Sequence, residues 1–199
     1  MVTGVPVAQV GKTRAVPPAS LRGRLLVATP VLRDGTFDRT VILLLEHGVD
    51  GAVGVVLNRP SDLDLAGPLP EWRGAAAEPG VVFVGGPVAQ GGAICLGRAA
   101  SVAATGWEAV VGPVGVVDLS RPAADVLGLV EEVRVFTGYA GWGTGQLEGE
   151  LAAGAWLVVA AEPDDALSAA PDLLWRTVLR RQPGTLSWLA NYPEDPSLN

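Results

Sequence analysis

Only four residues, Gly48-Val49-Asp50-Gly51, separate the apolar runs TVILLLEH (residues 40–47) and AVGVVLN (residues 52–58). A parallel pair of strands needs a crossover of roughly a dozen residues or more, so these runs are restricted to an antiparallel hairpin. Setting His47 opposite Gly51 pairs Glu46 with Ala52 and Thr40 with Asn58, and it brings Arg39 beside Arg59 at the open end. Two guanidinium groups so placed repel one another unless carboxylates or a bound anion lie between them. The runs are apolar almost throughout instead of alternating, which is the pattern of strands covered on both faces.

Other short runs rich in branched residues and bounded by Gly, Pro or Asp read as strands: residues 24–29, 81–86, 93–98, 107–111, 114–119, 133–139 and 155–161. The turn-rich segment 60–80 leaves room for one brief helix around Leu63 to Ala66. Ser120 is suited to cap a helix with Pro122 in its first turn, running to about Glu131. Gly143 or Thr144 would cap another, ended by Gly154, with Leu147 and Leu151 on one face. Pro171 to Gln182 is amphipathic, with Leu174, Trp175, Val178 and Leu179 inward, and the tail from Leu189 reads as irregular. With 26 glycines and 16 prolines in 199 residues the chain is unsuited to a helical bundle, so an α/β (α+β) fold follows. Residues 1–19 lack periodicity and end on Pro17-Pro18, reading as a disordered or surface-draped arm before a single domain at residues 20–199.

A formal charge of -7 opposes attraction to a phosphate backbone, so direct nucleic-acid binding is not expected. Lys12 is the only lysine; the other cations are arginines, suited to fixed pairing with carboxylate or phosphate. Cys95 is the only cysteine, which excludes an internal disulfide and fits a reducing compartment. No run approaches the roughly 20 apolar residues needed to span a bilayer. The expectation is a cytoplasmic protein without a membrane partner.

LLVATP (25–30), FDRTVILLLEH (37–47), GAVGVVLNRP (51–60), GGP (85–87) and RVFTGYAGWGTGQLEGEL (134–151), with the late Trp175, occur in one order. Together they resemble the YqgE/AlgH family of bacterial proteins, from about Leu21 to Trp188. The matching motif positions are Thr29, Pro30, Arg39, Glu46, His47, Gly54, Asn58, Arg59, Pro60, Gly85, Gly86, Pro87, Gly138, Tyr139, Gly141, Trp142, Gln146, Leu147 and Glu148. The resemblance implies a single domain with a bent, largely antiparallel or mixed sheet curling toward a partial barrel, helices packed outside. One branch of the family carries a transcriptional-regulator label connected with alginate production, but no helix-turn-helix pattern is present here. The resemblance transfers no reaction, cofactor or catalytic residue.

The residues themselves suggest one ligand-binding cleft. The hairpin end would gather Arg39, Thr40, Asn58 and Arg59, two cations with a hydroxyl and an amide, and Pro60 restricts Arg59 to extended backbone. Gly138, Tyr139, Gly141, Trp142, Gln146 and Glu148 would supply a glycine-rich loop with aromatic walls on the other side, near His47. Neither dinucleotide nor P-loop spacing occurs, and the glutamates after the loop would repel a phosphate. Each candidate also has a plainer role: Arg39 or Arg59 paired with Asp34, Asp38 or Glu148, and His47 capping the hairpin. One histidine and one cysteine cannot supply a typical zinc site, so no metal or cofactor is expected. Cys95 reads as a buried small hydrophobe, and no Gly-x-Ser-x-Gly elbow is present. The expected function is non-enzymatic binding or regulation through a small anion or protein segment. The alternative is an enzyme acting through Glu148 and His47, the latter as a base beside Glu46.

Overall fold

The computed structural model describes residues 20–32, 35–100 and 108–193, so the N-terminal arm, Asp34 and Trp107 lie outside the described residues. The strands are β1 (Arg24–Ala28), β2 (Val41–Gly48), β3 (Gly51–Val56), β4 (Pro60–Asp64), β5 (Val81–Val84), β6 (Val88–Ala99), β7 (Glu108–Val111), β8 (Val114–Val117), β9 (Val130–Gly143) and β10 (Trp156–Ala160). The helices are α1 (Ala123–Leu127), α2 (Gln146–Ala152), α3 (Pro163–Ala166) and α4 (Pro171–Arg180), with 3-10 segments at Pro70–Ala75 and Gly184–Asn191. Among the described residues no helix is long and apolar enough to cross a membrane.

The strands form one curled, largely antiparallel sheet, a half-barrel in the order β10-β1-β2-β3-β9-β6-β8-β7. One edge of the long β9 is shared: β3 pairs with it from Ala140 to Gly143, and β5 runs parallel to it at Phe136 and Thr137. β4 then pairs with β5. Both faces of β1 and β2 are buried, as their unbroken hydrophobicity predicts. Leu25, Val27, Val41 and Leu43 join Leu174, Trp175, Val178 and Leu179 of α4 in one cluster. Leu26, Ala28, Ile42 and Leu44 join Leu147 of α2, Trp142 and Trp156 in a second. Val126 of α1 packs with Trp72, Cys95, Val133 and Val135 in a third. Each such side chain removed from water contributes about 1.5–3 kcal/mol, which offsets the ordering of the chain.

The β2–β3 hairpin begins one residue out of the expected register, with His47 opposite Ala52 and Gly48 opposite Gly51. Gly51 is drawn into the strand because it also pairs with Gly143, at a spacing where a Cβ would lie 2.1 Å from the Trp142 carbonyl oxygen. A bulge at Leu45 absorbs the slip, and the later pairs Leu44↔Gly54 to Ile42↔Val56 extrapolate to Thr40 beside Asn58, as expected.

Several elements differ from the sequence reading. The glycine-aromatic stretch at residues 138–143 is not a loop but the second half of β9, because Ala140 and Trp142 bury their side chains in the second cluster. The segment around Leu63 is the end of β4, not a helix, since Pro60 and Asp64 pair with Phe83 and Val81. The helix expected from Ser120 to Glu131 is reduced to α1, because Val130, Val133 and Val135 are claimed by the sheet and the third cluster. Ser120 caps nothing there; its hydroxyl donates to Asp118. Gly145, with φ 71, and not Thr144 or Gly143, precedes α2. The tail from Leu189 continues a 3-10 segment to Asn191, since Ala190 is buried in the first cluster.

Two backbones meet where β5 ends. A Cβ on Gly86, whose φ is 154, would lie 2.2 Å from the carbonyl carbon of Tyr139. Gly138, with φ 66, sits across the same contact, its would-be Cβ 2.4 Å from the Gly86 carbonyl oxygen. Beneath this junction Arg134 is 2% exposed, its Cζ 4.3 Å from the Phe83 ring centroid and its Nη2 donating to the Glu78 carbonyl at 2.6 Å. Burial pushes its pKa down to about 10, so it stays charged at neutral pH.

The glycine environments predict opposite signs for one substitution. Gly86→Ala should lower the unfolding free energy by at least about 2 kcal/mol, because rigid backbone occupies the space. Gly149→Ala, on α2 with nothing within 4 Å of a new Cβ, should raise it by up to about 1 kcal/mol. Urea unfolding of the two variants beside the wild type reads both.

Candidate functional site

The open end of the hairpin is built around the side chain of Asn58. Leu57 still donates its N–H to Val41, but Val56 N–H turns to Gly85 and the Arg59 carbonyl accepts from Val84, so the main chain is leaving β2 for β5. The Asn58 carboxamide supplies the missing rung: Oδ1 accepts from Val41 N–H at 2.9 Å and Nδ2 donates to the Arg39 carbonyl at 2.9 Å. It serves because a carboxamide carries the same donor and acceptor as a peptide group. Thr40 is buried, its hydroxyl donating to the Phe37 carbonyl at 2.8 Å.

This junction holds the two arginines differently. Arg39 has φ 53, a left-handed conformation uncommon for a residue other than glycine. It is held there by Asn58, by donation to the Tyr192 carbonyl at 2.9 Å, and by Trp175, whose ring centroid is 4.8 Å from Cζ. Arg59 is fixed through its backbone by Val84 and by Pro60, which opens β4. Its Nη2 donates to the Asp38 carbonyl at 3.3 Å, and it makes no ion pair among the described residues.

Arg59 stands between two hollows. One, of about 110 Å³, is lined by Thr36, Phe37, Val56, Arg59, Val84, Gly86, Pro87 and Gln90. The other, of about 180 Å³, is lined by Asp38, Arg39, Asn58, Arg59, Asp172, Trp175 and Arg176. Gly86 and Pro87 form a rim beside Arg59, and Gly138 lies against Gly86.

The remaining candidates assemble at the turn end of the hairpin. His47 Nδ1 accepts from the Leu21 N–H at 3.1 Å, so the neutral ring carries its proton on Nε2, which lies 3.1 Å from Glu148 Oε1. Both ring nitrogens are thus occupied, and the ring fastens the lead-in to β1 and α2 to the hairpin. Trp142 and Trp156 both donate their indole N–H to Glu150 Oε2, at 2.9 and 2.8 Å, with ring centroids 6.1 Å apart. Gln146 Nε2 donates to Glu150 Oε1 at 3.0 Å while its own oxygen accepts from Gly143 N–H. A third hollow, about 350 Å³, opens here with Glu46, His47, Asp50, Val53 and Trp142 among its walls.

The single cleft expected from the sequence is therefore divided. Trp142 stands opposite Ala52, and Asn58 is further along by six residues, roughly 20 Å of extended chain. Arg39, Thr40, Asn58, Arg59 and Pro60 lie at one end, and His47, Trp142, Gln146 and Glu148 at the other. The cause is the extension of residues 138–143 as a strand: Gly138 and Tyr139 stay near Gly86, whereas Gly141 and Trp142 continue along β3. Glu150 is the organiser that the expected cleft leaves out; the sequence signals for it are its hydrogen-bonding capacity and its helical spacing to Gln146. Gln90, Asp172, Trp175 and Arg176 join the hollows from elements distant in sequence, which no local pattern shows.

Among the described residues no group of three or more His, Cys, Asp or Glu is placed to hold a metal. Cys95 is buried, and desolvation pushes its pKa up to about 12.

The AlgH-like family model matches residues 25–187. The chain belongs to the AlgH-like family. A UPF0301 protein of Streptomyces coelicolor is 52% identical over 186 residues, covering 91% of this chain and 96% of the relative. A UPF0301 protein of Nocardia farcinica is 45% identical over 181 residues, 89% of this chain and 85% of the relative. A crystal structure of a Corynebacterium diphtheriae protein superposes with a TM-score of 0.80 at 30% identity, covering 85% of this chain and 91% of the other. The solution structure of AlgH from Pseudomonas aeruginosa gives a TM-score of 0.66 at 29% identity, covering 92% and 100%. The half-barrel of this AlgH-like chain is thus shared with solved members.

Two outcomes follow from the side-chain network. Glu150→Ala strands two indole N–H groups and should cost about 2 kcal/mol or more, with a shift in tryptophan emission; a neutral result would deny Glu150 its organising role. Cys95, held protonated, should react with Ellman's reagent at pH 8 only as fast as the protein opens, so reactivity in urea should track unfolding.

Proposed function

We propose that this chain is a cytoplasmic, non-enzymatic binding protein that holds a small anion on Arg59 at the open end of the β2–β3 hairpin. The observation that carries the reading is an arginine without an ion pair among the described residues, set between two hollows on a fixed backbone. A guanidinium has five N–H donors in a planar fork matched to carboxylate and phosphate, and the contact to Asp38 uses one of them. The opposite end supports the same choice by contrast. Glu46 and Asp50 line its hollow and Glu148 stands on His47, so an anion placed there meets like charge. That arrangement also argues against the enzymatic alternative, because His47 has no free lone pair with which to take a proton. The cytoplasmic part of the reading rests on the lone buried cysteine. Direct nucleic-acid binding is no part of it, given the net charge of -7.

Thermal unfolding in sodium acetate or sodium phosphate, against chloride at matched ionic strength, tests this reading. A bound anion at about 100 times its Kd stabilises by about 2.7 kcal/mol, so the wild-type midpoint should rise and saturate. Arg59→Gln should abolish the rise, while Glu148→Gln should keep it. An unchanged response in Arg59→Gln, or no response in the wild type, would refute the assignment.

A further inference from the structure

The smaller hollow beside Arg59 has a definite size and composition, and we infer that the ligand is an amphipathic monoanion, a carboxylate bearing one branched or single-ring apolar group. The inference rests on Arg59 as the anion-holding residue and names the class of ligand it takes.

The walls come first. Phe37, Val56, Val84 and Pro87 present carbon, and Arg59 is the one cation among the described lining residues. Its volume is about 110 Å³; since a water occupies roughly 30 Å³ of liquid, this is room for about three or four waters. An engineered apolar cavity of about 150 Å³ in another protein accepts benzene, so the scale is that of a small ring or branched alkyl group. Waters between such walls make few hydrogen bonds, and an apolar group that displaces them gains affinity.

Charge decides the other half of the ligand. A single guanidinium fork satisfies one carboxylate through two parallel hydrogen bonds. A dianion gains most where several cations converge, and the adjoining hollow sets Asp38 and Asp172 beside its arginines. Two carboxylates among three arginines leave one positive charge in excess, the balance that a monoanion meets and a dianion exceeds.

The hollow is also preformed. Val84 N–H is bonded to the Arg59 carbonyl and Val56 N–H to Gly85, each within 2.9 Å. Gly86 has no room even for a Cβ on its β9 side, and the Gln90 carbonyl accepts from the Thr137 hydroxyl. Walls held in this way need little ordering when a ligand enters, so most of the apolar contact appears as affinity.

Isothermal titration of the full chain at pH 7 with the sodium salts of acetate, isobutyrate, phenylacetate and phosphate tests the inference. Each methylene buried strengthens binding roughly fourfold, so isobutyrate, with two more carbons, should bind about fifteenfold more tightly than acetate. Phenylacetate should bind at least as tightly as isobutyrate, and phosphate more weakly than acetate. Arg59→Gln should remove binding of all four. Val84→Phe, which fills the hollow, should erase the preference for isobutyrate while acetate still binds. Gln90→Leu, at an exposed position that leaves the core untouched, should increase the preference. Equal affinity for acetate and isobutyrate, or phosphate binding best, overturns the amphipathic ligand and leaves Arg59 as an anion site. Absence of binding by every salt, or binding indifferent to Arg59→Gln, overturns both.

Discussion

The contact of bare backbone between Gly86 and the Gly138–Tyr139 step of β9 is the constraint on which the rest of this fold depends. β9 has a single free edge beside β3, and β3 occupies it only from Ala140 onward. For the sheet to continue, another strand must enter that edge at Phe136 and Thr137, and β5 can do so only where no side chain intervenes. Once β5 is in place, Val56 and Arg59 are pulled to it through Gly85 and Val84. The main chain thereby abandons β2, and the Asn58 carboxamide closes the gap. The position of Arg59 is a consequence of this sequence of backbone events.

The same geometry gathers the molecule's polar chemistry at two ends, with arginines outnumbering carboxylates at only one of them. At the turn end, carboxylates are either committed to indoles and the His47 ring, as Glu150 and Glu148 are, or line an open hollow, as Glu46 and Asp50 do. At the open end, arginines gather, and Arg59 among them makes no ion pair among the described residues. A strand's length lies between the two, so no ligand of ordinary size engages both. His47 and Trp142 are better understood as fasteners that keep α2 and the lead-in to β1 on the sheet.

Much of the architecture was legible because hydrophobic runs and short connections report on pairing directly. The unbroken apolar character of β1 and β2 announced burial on both faces, and the GVDG connection announced the hairpin. Even the placement of Thr40 by Asn58 survived an error of one residue at the turn, because the Leu45 bulge cancels it. The reading failed where tertiary contact overrides local preference. Five glycines around Tyr139 and Trp142 read as a loop, since glycine is poor strand material. In the fold Gly138, Gly141 and Gly143 are strand residues, and at Gly138 the backbone of Gly86 and Val88 presses too closely for a side chain, whereas Gly145 precedes α2 and Gly149 lies within it. The site was half legible for the same reason. Arg39, Asn58 and Arg59 are joined by a hairpin that a reader can count along, whereas Gln90, Asp172 and Arg176 arrive from strands and helices that only the folded chain brings near.

The proposed division of the molecule into an anion-holding end and an acidic, structural end is tested most directly by amide chemical-shift mapping during an acetate titration. The account predicts that the backbone signals of Arg59, Val84, Gly86 and Gln90 move together along one saturable curve. The amides of Gly48 and Gly51 and the Trp142 indole should stay still. Saturable movement centred on that indole and the hairpin turn, with the Arg59 group unmoved, would contradict it.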